Sequence, residues 1–107
     1  MRTLLIALLL ASSPKPSLTL SAPNHVMGSL SAPTEVSVRV KITNPPECFG
    51  LAVFWGDGER SMWETCGDDV YRASHKYKVH GEMLIEAQLW AEGKQVAAPV
   101  THVLNII

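Results

Sequence analysis

The sequence predicts an all-β domain, a two-sheet antiparallel sandwich of about six or seven short strands. Three stretches carry that prediction. Residues 35–42 alternate without a break, with Val36, Val38, Val40 and Ile42 on one face and Glu35, Ser37, Arg39 and Lys41 on the other, the pattern of a strand with one wet side. Residues 82–91 repeat the pattern with Met83, Ile85, Ala87 and Leu89. Between them, two apolar-rich runs flank Gly56-Asp57-Gly58, a hairpin turn in which Gly accepts positive φ and Asp bonds back to its own backbone. With Asp57 at the centre, Leu51 falls opposite Trp63 and Ala52 opposite Met62, and the same symmetry puts Cys48 opposite Cys66. Directly opposed positions of an antiparallel pair lie about 4.5–5.5 Å apart at Cα, a span a disulfide bridges.

Taken in order, the chain opens on an export signal. Arg2 precedes an eight-residue apolar run from Leu4 to Ala11. That run is too short for a bilayer needing roughly 20 residues and suits the core of a signal peptide. Cleavage after Ser13 leaves Ala11 and Ser13 at the small-residue positions, but Pro14 would follow; cleavage after Ser21 uses Thr19 and Ser21, at the cost of a long c-region. An uncleaved membrane-associated segment is the alternative. The expected organisation is a signal peptide within residues 1–21, a Ser/Pro/Ala-rich segment over 22–34 with a short first strand around 25–30, and the sandwich over 35–107.

Asn44-Pro45-Pro46 ends the first clear strand, because proline cannot donate to a ladder. In the hairpin, Leu51, Val53, Trp55 and Trp63 are expected in the core, with Ala52, Phe54, Met62 and the cysteine pair on the other face. Gly58 supplies the left-handed residue at the end of the loop. Gly67-Asp68-Asp69 is a turn, and residues 70–78 read as irregular or as one short helical turn. Gly81 launches the second clear strand, on which Glu82, Glu86 and Gln88 point outward, but so do Leu84 and Trp90. Glu92-Gly93-Lys94 turns the chain into a final strand over 95–107 of unfixed phase, with Pro99 at an edge or bulge. An even cysteine count behind an export signal fits an oxidising compartment, and closing such a loop stabilises by about 3 kcal/mol. A free thiol pair and a metal pair are the other readings of the cysteines.

Composition excludes several functions. Nine basic and ten acidic residues leave a net charge of −1, which is no nucleic-acid footprint. His75 and His80, with His25 and His102 elsewhere, do not show a zinc spacing. No nucleophile–base set appears, no phosphate loop precedes a helix, and Glu82 and Glu86 face water roughly 13 Å apart along one strand. The expectation is no enzyme, no cofactor and no metal.

Val53-Phe54-Trp55-Gly56-Asp57-Gly58, then Ser74-His75-Lys76-Tyr77, then Gly81 followed by alternating Met83, Ile85, Ala87 and Leu89, resemble the PKD (polycystic kidney disease) repeat domain. That family's pattern is an aromatic-rich strand ending in F-G-D-G, a downstream H-x-Y and a G-x-Y-x-V-x-L strand. The likeness spans roughly residues 33–107, with the first two motifs in order and at compatible spacing. Trp55 stands where the family usually has Phe, Val53 where it often has Trp, and Met83 where it often has Tyr; the Cys48–Cys66 pair is not a general family feature. The resemblance implies an immunoglobulin-like β-sandwich acting as an extracellular interaction or spacer module without catalysis.

Residue roles can be argued beside it. Asp57 is expected to cap its own turn, the rival being a calcium ligand alongside Asp68 or Asp69. Tyr77 is expected to pack its ring and bond a loop carbonyl, as in a tyrosine corner, with His75 holding the same loop. Phe54, Met62, Leu84 and Trp90 are apolar side chains on outward faces, a candidate partner surface unless the N-terminal segment covers one face or the parity slips by one. The expected function is a secreted or periplasmic module binding a protein or polysaccharide through a sheet face, with no nucleic acid and no membrane span once the signal is removed. The alternative is a structural or accessory subunit of a cell-envelope or extracellular assembly.

Overall fold

The computed structural model describes residues 15–28 and 32–107, so the signal-like run and part of the 25–30 stretch lie outside the described residues. Strands run β1 Ser17–Ser21, β2 His25–Val26, β3 Thr34–Thr43, β4 Phe49–Phe54, β5 Arg60–Thr65, β6 Val70–Tyr77, β7 Gly81–Ala91, β8 Lys94–Gln95 and β9 Val100–Ile106. They form a three-stranded sheet, β1-β3-β6, and a six-stranded sheet, β2-β9-β7-β4-β5 with β8 on β7. All pairings are antiparallel except β2 with β9. The two-sheet sandwich is therefore the fold, and no described helix is long and apolar enough to cross a membrane.

The aliphatic stripes meet in the interior. Val36, Val38, Val40 and Ile42 of β3, with Leu18 of β1 and Ala73 and Tyr77 of β6, face Leu51 and Val53 of β4, Met83, Ile85, Ala87 and Leu89 of β7, and Leu104 and Ile106 of β9. Trp55, just past β4, is fully buried beneath them. This apolar surface removed from water is the main stabilising term of so small a domain.

The hairpin keeps the register its turn dictates: Leu51 opposes Trp63 and Ala52 opposes Met62. Trp55 N donates to Glu59 O at 3.0 Å, closing the loop. One register step beyond the ladder, Cys48 and Cys66 form a disulfide with Cα atoms 4.1 Å apart.

Several expectations need correcting. Residues 70–77 form a strand, β6, whose inward positions are Tyr71, Ala73, His75 and Tyr77. Amphipathic side chains facing in conceal the alternation. The sandwich also begins earlier than residue 35: β1 pairs along its whole length with β3, and Leu18 enters the core. The strand expected near 25–30 is reduced, within the described residues, to His25–Val26. The final stretch divides at Pro99 into β8 and β9, and β9 turns Leu104 and Ile106 inward. Trp63 is half-buried at the core margin rather than inside it, because β5 is an edge strand. Ala52 points outward yet is only 1% exposed, being too small to rise above Met62 and Gln88 beside it.

Candidate functional site

Two regions gather the residues singled out by sequence. The first is the Gly56-Asp57-Gly58 turn. Asp57 Oδ1 accepts the Glu59 N–H at 3.1 Å, capping the turn, while Oδ2 lies 2.7 Å from His75 Nε2 on β6 of the opposite sheet. The His75 ring stacks on Trp55 at 4.9 Å and 15°, and the Tyr77 ring meets His75 edge-on at 4.7 Å. The Tyr77 hydroxyl donates to the Trp55 carbonyl at 2.6 Å, and Trp55 Nε1 donates to Ser61 Oγ at 3.0 Å. Among the described residues no buried side-chain nitrogen or oxygen lacks a partner, which is what burial demands. The knot ties the hairpin of one sheet to β6 of the other.

Its electrostatics follow from the packing. Burial alone would raise the Asp57 carboxyl, but the His75 hydrogen bond, the Glu59 N–H and the His75 charge outweigh it and hold the group below the ordinary carboxylate range. Burial, helped by the nearby Asp57 charge, pushes the Tyr77 hydroxyl far up, so it remains a donor. A depressed folded-state carboxylate contributes stability that is present above its unfolded value and is lost as pH falls through the folded one. Thermal melts at pH 7 and at pH 3 are expected to show that loss, and Asp57→Asn to shrink the difference between them.

Asp57, Glu59 and His75 place one donor atom each within 4.8 Å of one another. Three donors are few for a hard cation wanting six to eight oxygens. Both carboxylate oxygens of Asp57 are already engaged. Asp68 and Asp69 are not part of this group; the Asp69 carbonyl instead accepts from Ile42 N at 2.7 Å. Gly81, at φ +116, starts β7 away from the turn.

The second region is the outer face of the six-stranded sheet. Period-two geometry brings Phe54 and Ala52 of β4, Met62 of β5, Leu84, Gln88 and Trp90 of β7 and Val103 of β9 to that face. Met62 is 63% exposed and Leu84, paired with Val103, is 54% exposed, while Phe54 and Trp90 are half-buried. A shallow groove of about 650 Å³ runs over Gly50 and Ala52 as a low floor, between Met62 and Glu64 on one side and Trp90 on the other. Trp90 Nε1 donates to Gln88 Oε1 at 2.9 Å, and Gln88 Nε2 donates to Glu86 Oε2 at 2.5 Å. Sequence reasoning named the four large side chains here and placed Ala52 on the same face, but missed Gly50 beside it and Val103. A glycine and an alanine at i and i+2 on a central strand were the available signal.

No protein-family model matches the chain, and no curated protein does. Among solved structures, the chain is similar to the PKD domain of an M14-like peptidase from Thermoplasmatales archaeon SCGC AB-540-F20. The TM-score is 0.70, with 15% identity, over 87% of this chain and 96% of that one. At this identity the likeness concerns architecture, and it takes in β1 and β2 as well as the motif-bearing strands. The chain has the fold of a PKD domain.

Proposed function

We propose that this chain is an exported, non-catalytic interaction module that takes a protein or glycan partner on the outer face of its six-stranded sheet. The observation that carries the proposal is the groove beside Trp90 with exposed Met62 on its wall; exposed Leu84 and Val103 pair further along the same face. The indole N–H is already bonded to Gln88, so Trp90 offers a ligand ring surface, and Glu64 and Glu92 at the rim can accept hydrogen bonds. Ring surface beside carboxylates suits stacking on a sugar or on a cationic side chain. Titrating the folded chain with a polysaccharide panel is expected to shift tryptophan fluorescence with at least one member, and Trp90→Ala to weaken that binding by tenfold or more, the cost of about 1.4 kcal/mol. A stoichiometric protein that co-purifies, is indifferent to sugars and is lost with the same substitution would instead support the accessory-subunit reading.

Export rests on the signal-like run and on the disulfide, which persists in oxidising compartments. Cleavage after Ser13 fits the fold better than cleavage after Ser21, because the latter removes β1 and the buried Leu18. The intact mass of the exported chain is expected to correspond to a first residue Pro14; a start at Ala22 would contradict this.

A further inference from the structure

The net charge of −1 conceals a segregation between the two outer faces. On the three-stranded sheet, the outward positions of β3 and β6 carry Arg39, Lys41, Arg72 and Lys76 against the single carboxylate of Glu35. Arg39 and Arg72 are directly opposed across the ladder, and like charges so placed destabilise a sheet. Among the described residues, no carboxylate lies within 4.0 Å of any Lys or Arg nitrogen. The remaining outward positions of β1, β3 and β6 are hydroxyls (Ser17, Thr19, Ser21, Ser37 and Thr43, with Ser74 bonded to Ser37 at 2.8 Å) apart from Val70. The other sheet's outer face has the opposite character, with Glu64, Glu82 and Glu86 set against Arg60.

The geometry points to the outer face of the three-stranded sheet as a binding surface for a linear anionic polysaccharide. The four cations are all exposed. Lys41 and Arg39 stand about 6.7 Å apart along β3 and Arg72 stands about 5 Å across from Arg39, while Lys76, about 13 Å further along β6, is directly opposed by Glu35. Lys41, Arg39 and Arg72 are thus a compact cluster of positive charge with no carboxylate opposed to it, about 7 Å along the strands and one strand spacing across. Arg forks match carboxylate and sulfate bidentately, and the interleaved hydroxyls suit sugar hydroxyls. No aromatic ring stands on these outward positions to stack a nucleobase, and the flat sheet offers no element to enter a groove, so single-stranded and duplex nucleic acid are poorer fits. Because the net charge gives no long-range pull, the contact is short-ranged and salt-sensitive. This surface is separate from the groove beside Trp90, so either can fail without the other.

The test is affinity electrophoresis of the folded chain through gels containing polygalacturonate, neutral dextran or short duplex DNA. Polygalacturonate is expected to retard the chain at about 20 mM salt, with the effect gone at about 0.5 M. The Arg39→Ser and Arg72→Ser variants are each expected to lose at least tenfold in affinity while melting at an equal or higher temperature, since the like-charge opposition is relieved. Glu64→Gln and Glu86→Gln on the other sheet are expected to leave retardation unchanged. No retardation at low salt, retardation that survives both arginine substitutions, or equal retardation by duplex DNA would each overturn the proposal.

Discussion

Gly56→Ala is expected to be the most damaging single-methyl change in the hairpin, and Gly58→Ala, two residues away, a mild one. Both glycines hold positive φ, at +86° and +94°. They differ in what a Cβ would meet. At Gly56 it would sit 2.6 Å from the carbonyl oxygen of Leu84 and 2.7 Å from its nitrogen, backbone atoms that β7 cannot move without disturbing its pairing with β9. At Gly58 nothing lies within 4 Å. Gly58→Ala therefore costs about 1 kcal/mol of backbone preference alone. Gly56→Ala adds overpacking against fixed backbone, for a total of roughly 3–5 kcal/mol. In a domain of this size that lowers the melting temperature by about 15–30 °C, against about 4–8 °C for Gly58→Ala. Thermal melts of the two variants, followed by far-UV circular dichroism, make the comparison, and similar losses for both would contradict the close approach of the turn to β7.

Opening the disulfide ranks next. Cys48 and Cys66 close a loop spanning 18 residues at one end of the six-stranded sheet, where β5 is an edge strand held on one side only. In the chain-entropy account, releasing such a loop gives the unfolded ensemble about 3 kcal/mol. The core beneath it is untouched: both cysteines are exposed, and Leu51, Val53 and Trp55 remain buried without the bridge. The Cys48→Ser/Cys66→Ser variant is therefore expected to keep the fold and lose about 3 kcal/mol in denaturant unfolding, with its midpoint lowered and its slope equal or steeper because the released unfolded chain is less compact. A double variant as stable as the parent would mean that the hairpin is held closed by its turn and the aromatic knot alone.

What could be read from the chain, and what could not, divides along physical lines. The β3 and β7 stripes were legible because aliphatic side chains alternate there with polar ones, and the hairpin because one turn centre fixes every pair out to the cysteines. β6 was not, because its inward side chains are Tyr71, Ala73, His75 and Tyr77, which fill the interior with rings and hydrogen bonds in place of an aliphatic stripe. β1 was hidden for a different reason: Leu18 and Leu20 alternate with serine and threonine as a strand should, but in a composition that also suits a signal-peptide tail. The aromatic knot depends on Asp57 and His75 meeting across two sheets, a contact that local pattern does not encode. The outer face of the six-stranded sheet follows from parity for Phe54, Met62, Leu84 and Trp90. Its groove does not, since it exists only where Gly50 and Ala52 lie side by side with taller neighbours.

These two regions have opposite dependences. The knot around Asp57 holds the sheets together, and the groove beside Trp90 is surface that the fold does not need closed. The most direct measurement is retention of the protein partner or of a neutral polysaccharide, at about 0.5 M salt where the basic face is screened, by the Phe54→Ala/Trp90→Ala variant, compared with His75→Ala, both held below their own melting temperatures. Loss of retention in the first with its fold intact, and retention in the second despite a lower melting temperature, is the expected result. Full retention by the first would contradict the assignment of this face as the working surface.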